Sequence, residues 1–263
     1  MTARIASTRT ARAGRRRAFS LSALAGAGYA AVWIISLSVG APNPAVDATG
    51  SQVVAAFAGH RGSALAQFVL NEGVAAVALA AVVILVARAT RRREHFRAGL
   101  ATAAFGIAVA GVSWAQLALG TWLFRGLVPD RRVSAAGAVY HAITRMDGAK
   151  MFLLAAMALA IAQVARGRRI LPAWLAPLGV VLAATLVTSG LGYLLLAPGL
   201  SSAVYGSGIL LLTFVCATGM TLRRPGGHGT PAQDVRSTQQ PAARFLTVRR
   251  SRTSPTPSTW RLP

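Results

Sequence analysis

Cysteine is nearly absent from this chain. Its single Cys216 excludes an intramolecular disulfide, a CxxC redox pair and any cysteine-based zinc or iron–sulfur centre. Acidic residues are scarce too: 6 Asp and Glu stand against 28 Lys and Arg, for a formal charge of +22, and Lys150 is the only lysine. The 4 histidines fall outside the long apolar runs, His60 and His141 on one side and His95 and His228 on the other. Transmembrane bis-histidine haem ligation is therefore not expected. The motifs HExxH, GxxxxGK[ST] and GxSxG are all missing. Nothing that remains implies a cofactor or a metal.

What is there is apolar. Hydrophobic residues make up 54% of the chain and charged ones 13%, and the mean hydropathy is +0.52. That is too hydrophobic for an ordinary soluble domain and for a disordered chain. A bilayer core of ~30 Å needs about 20 apolar residues of helix. Six stretches meet or approach that length, at 19–40, 64–88, 98–124, 148–165, 173–197 and 204–222, the fourth being short, with an alternative start within Tyr140 to Asp147. The chain reads as an all-α polytopic membrane protein, a six-transmembrane-helix bundle over 19–222 between basic tails at 1–18 and 223–263. The longest link, between Arg125 and Asp147, is expected to carry a short interfacial helix over Ser134–Ile143.

The arginines orient the spans. Six basic residues precede the first span, five lie between the second and third, three between the fourth and fifth, and eight follow the last. The alternate links hold Arg61 alone, then four basic residues with Lys150 just beyond, then none. This asymmetry predicts that both termini are cytoplasmic. The richness in Arg, Ala, Gly and Val points to a bacterial chain, hence to the bacterial cytoplasmic membrane. Arg16-Arg17 resembles a twin-arginine export signal, but the apolar run after it is too long for a cleavable segment and reads as a retained first span. The tail at 223–263 has the composition of a disordered segment. Expected partners are the lipid bilayer, anionic lipid head groups at the basic tails, and a protein partner or a second copy. The charge flanks spans, so nucleic acid is not expected. A weak internal echo, Val86-Ala87-Arg88 against Val164-Ala165-Arg166, would be a parallel hairpin repeat.

Polar side chains at bilayer depth are few, and there they pack against protein or line water. The second span holds Gln67, Asn71 and Glu72, with Glu72 nine residues from Ser63, or ~14 Å at 1.5 Å per residue. Burial there disfavours a charged carboxylate unless a cation or several donors meet it. Gln116 in the third span shares that layer by count. Thr185, Thr188, Ser189, Gly192 and Tyr193 fall on one face of the fifth span. Asp147 and Lys150 stand three apart and can pair. Lys150 can snorkel outward or reach in toward Glu72. The candidate cluster is therefore Gln67, Asn71, Glu72, Gln116, Asp147, Lys150, Ser189 and Tyr193.

Two functional classes follow from this cluster. In the first, the polar groups hold helices together at ~0.6 kcal/mol per hydrogen bond, and the protein is a non-enzymatic structural or interaction protein of the membrane. In the second, the cluster is an outward-facing site of a small-molecule or proton-coupled transporter or a ligand sensor. An intramembrane enzyme ranks third, because no nucleophile, base and metal set converges at one depth.

Four segments carry a resemblance: Thr49-Gly50 through Phe57-Ala58-Gly59-His60-Arg61, Asn71-Glu72-Gly73, Arg145-Met146-Asp147-Gly148-Ala149-Lys150, and Ser189-Gly190-Leu191-Gly192-Tyr193-Leu194-Leu195-Leu196. They resemble a family of uncharacterised six-span membrane proteins, a domain of unknown function common in actinobacteria. The resemblance covers about residues 19–222 and implies the same architecture. It brings no activity, cofactor or catalytic residue with it.

Overall fold

A computed structural model describes residues 3–91, 94–168 and 170–222, with side chains from residue 21 onward. The described residues are helical and contain no strand. Helix α1 runs Ala3–Ser38 and the short α2 runs Gly50–Phe57. Helices α3 (Arg61–Phe68) and α4 (Ala75–Thr90) are joined end to end by a π-helical turn, Val69–Val74. Helix α5 (Phe96–Trp122) ends in a second π-helical turn, Leu123–Leu127. Then come α6 (Val133–Arg166), α7 (Leu175–Leu194), α8 (Pro198–Ser201) and α9 (Val204–Thr221). Six helical stretches are long and apolar enough to cross a membrane, as the hydropathy predicts. The tail at 223–263 lies outside the described residues, as do the side chains of the tail at 1–18.

The span boundaries shift at one place. Helix α6 is continuous from Val133, so the expected loop with its separate interfacial helix does not exist, and His141 sits on α6. Neither proline nor a glycine pair interrupts 133–150, so nothing stops the helix. At 34 residues α6 is about 51 Å long, well beyond a bilayer core. Helix α7, at 20 residues and about 30 Å, matches the core far better. The two align where Gly148 meets the carbonyl of Gly190 and the side chain of Leu194, and again where Gly179 meets Ala158 and Ala162. The stretch Val133–Asp147 therefore overshoots the end of α7.

That overshoot builds a second core. One hydrophobic core lies among the spans, around Val83, Met157, Ile161, Leu182 and Phe214. Another, here termed the crown, gathers Val53, Phe57, Phe124, Leu127, Ala136 and Ile143. Phe124 is its hub, meeting Phe57 and Phe68 edge-on at 4.9 and 5.3 Å between ring centroids. Helix α2 starts with a capping box: Gln52 N–H donates to Thr49 Oγ1 at 3.4 Å, and Thr49 N–H donates to Gln52 Oε1 at 2.8 Å. It lies against α6 where Gly50 faces Gly137, and a side-chain carbon on Gly50 would strike the Val133 carbonyl. The link before it is pinned by Tyr140, whose hydroxyl donates to the Pro44 carbonyl at 2.7 Å, and by His141 Nε2, 3.0 Å from the Ala48 carbonyl.

Candidate functional site

The site forms between the two cores, where three spans bring polar groups to one level. Helices α4 and α5 pack as an antiparallel hairpin in a constant register: Thr90 beside Gly99, Val83 beside Gly106, Gly73 beside Leu117 and Phe68 beside Gly120. A fixed rise per residue then sets Glu72 opposite Gln116. The π-helical turn inserts one extra residue here, with Ala75 N–H bonded to the Leu70 carbonyl five residues back. Such turns rotate the side chains that follow and recur at functional sites.

Lys150 is the centre. Its Nζ donates to Glu72 Oε1 and Oε2 at 2.9 and 2.8 Å and to Gln116 Oε1 at 2.8 Å, and it lies 2.8 Å from Asp147 Oδ1. An ammonium has three hydrogens, and here three side chains accept them. Gln116 is 1% exposed and bonded at both ends of its amide, because its Nε2 donates to the Ile143 carbonyl at 3.1 Å. Helix α6 is thereby tied to the α3–α4 span and to α5 by charged or buried hydrogen bonds.

The charges do not balance. Two carboxylates share one ammonium, so the ionised cluster carries a net negative charge. Its exposure is graded: the side chains of Lys150 and Glu72 are 10% and 13% accessible, that of Asp147 28%. Asp147 is the open side. Against α7, Lys150 lies level with Ser189, five residues or about 7 Å from the end of that helix. The cluster thus stands nearer the crown end of α7 than the count from Ser63 implies.

Four of the eight expected residues, Glu72, Gln116, Asp147 and Lys150, form the cluster directly. Tyr193 is half-buried and stands near Asp147 and Lys150, but makes no hydrogen bond to them. Ser189 is fully buried, and its Oγ has no hydrogen-bond partner. Asn71 Oδ1 is likewise buried without a partner, and Gln67 is half-buried and unbonded to the cluster. One neighbour was missed. Tyr29 of α1, 3% exposed, lies near both Lys150 and Glu72. Its signal was available, because it stands nine residues from Ser38, the same depth by count as Glu72 from its own end.

Among the described residues no group of three His, Cys, Asp or Glu side chains is placed to hold a metal ion. No family model, curated protein or solved structure matches the chain.

Proposed function

We propose that this chain is a non-enzymatic membrane protein of the bacterial cytoplasmic membrane, with cytoplasmic termini and an outward crown. In this reading the Glu72–Lys150–Asp147 cluster is a site that takes up a proton or a small cation, serving a transporter or a ligand sensor. The observation that carries it is the excess carboxylate. A net charge beneath an apolar crown is costly, and a proton or cation arriving at the open Asp147 side relieves it. The π-helical turn at Glu72 supports the same reading. The orientation rests on the arginine distribution, and the assignment to the six-span actinobacterial family belongs to this proposal.

Infrared difference spectra of the protein in bilayers, recorded across pH and with added solutes, test the site, with Glu72→Gln and Asp147→Asn assigning the carboxyl bands. Bands that respond to pH and solute, and vanish in the matching variant, are expected. Bands indifferent to both would overturn the site in favour of a sealed structural cluster. That second reading has its own observation, the complete saturation of the Lys150 ammonium by side chains from three spans. Orientation is tested separately in a Cys216→Ser background. Cysteines introduced at Arg15 or Thr247 are expected to resist impermeant maleimide added from outside, and their labelling would reverse the topology.

A further inference from the structure

A groove of about 830 Å³ runs along the face of α4 that looks away from the bundle. Its floor is a helical stripe of small and apolar residues, Gly73, Val77, Ala81 and Leu85, ending at Arg88. Leu21 and Leu24 of α1 and Trp114 and Leu117 of α5 also line it. Gly73 and Ala81 lower the floor, while Leu24 and Trp114 stand 68% and 56% exposed beside it. From Gly73 to Arg88 the stripe measures about 22 Å, somewhat more than one leaflet of a ~30 Å core.

Among the described residues, Arg88 is the one charged group lining this groove. It is exposed, and it pairs with no carboxylate among the described residues. The arginines that follow it in sequence, Arg91 to Arg93, make this the positive end of the span. Apolar length closed by an unpaired guanidinium is complementary to an acyl chain with a phosphate at its head. A second copy of the chain is poorly suited to the same place. Of the described acidic residues, Asp47, Glu72, Asp130 and Asp147 lie toward the crown, and only Glu94, just past the end of α4, lies at the Arg88 end.

We propose that this groove is a binding site for one anionic phospholipid, its acyl chain along Gly73–Leu85 and its phosphate on Arg88. The proposal is independent of the proton or cation site.

Native mass spectrometry of the full chain, released from detergent containing equal phosphatidylglycerol and phosphatidylcholine, tests it. One retained phosphatidylglycerol is expected, favoured about fivefold, the worth of one arginine beside anionic head groups. Arg88→Gln is expected to abolish the preference. Ala81→Phe, which fills the floor, is expected to remove retention of either lipid while circular dichroism and the melting midpoint stay as in the parent. Should that variant fail to fold, Val77→Trp serves the same end from the more exposed side of the groove. Retention unchanged by the filling variants, or a preference that survives Arg88→Gln, would overturn the site. So would disulfide cross-linking of Val77→Cys between copies in a Cys216→Ser background, which would assign the groove to a second copy.

Discussion

Replacing Lys150 by methionine is expected to destabilise the bundle by about 3–5 kcal/mol, the usual cost of removing one partner from a buried ion pair. Methionine keeps most of the side-chain length and apolar stem, so packing around α6 changes little. What changes is that Glu72 and Asp147 face each other with no cation, and Gln116 Oε1 loses its donor. Either the carboxylates take up protons or the helices separate. The loss should therefore be largely recovered in the triple variant Glu72→Gln, Asp147→Asn, Lys150→Met, whose neutral amides need no counter-charge. Thermal unfolding in detergent and the yield of folded protein read both effects. If Lys150→Met melted within about 1 kcal/mol of the parent, as exposed ion pairs do, the cluster would not tie the three spans together.

The second large effect is expected at the crossing of α1 and α9. A side-chain carbon on Gly219 would stand 2.5 Å from the Ser22 carbonyl and 2.9 Å from Gly26 Cα, and one on Gly26 would stand 3.1 Å from the carbonyls of Val215 and Cys216. The two backbones touch here, as small residues permit in membranes. Gly219→Leu must push α1 away, at about 1–3 kcal/mol or more, because backbone offers no room to yield. Gly28→Leu is the control, since nothing lies within 4 Å of that position. It is expected to stay within about 0.5 kcal/mol of the parent. Cross-linking between cysteines placed on α1 and α9 in a Cys216→Ser background should fail in Gly219→Leu and persist in Gly28→Leu. Equal behaviour of the two would mean that the crossing contributes nothing to closing the bundle.

Much of the site was legible because depth along a helix is arithmetic. A fixed rise per residue put Glu72 and Gln116 in one layer, and the antiparallel register of α4 and α5 then joined them. The pairing of Asp147 with Lys150 followed from spacing alone. Tyr29 could have been found by the same count. The Thr49-x-x-Gln52 pattern that starts α2 is also visible in the sequence, as a capping-box spacing.

Other parts were not legible for a physical reason. Depth says nothing about rotation, and spans that are apolar all round carry little periodicity to show which face turns inward. Ser189 has the right level and Tyr193 the right neighbourhood, yet neither bonds to the cluster. The π-helical turns depend on one slipped hydrogen bond each, a choice that composition does not mark.

By itself, then, the sequence determined six spans, their approximate ends apart from the start of α6, the sign of charge between them and the layer in which the polar groups meet, because length, hydropathy and rise are local properties. Only the tertiary structure decided that Lys150 turns inward to two carboxylates and a glutamine, that α6 continues into a crown with its own core, and that α4 leaves a groove ending on Arg88. Each of these depends on how helices rotate and approach one another. Where lipid is as apolar as the side chains, that is settled by close packing and polar pairing between residues far apart in sequence.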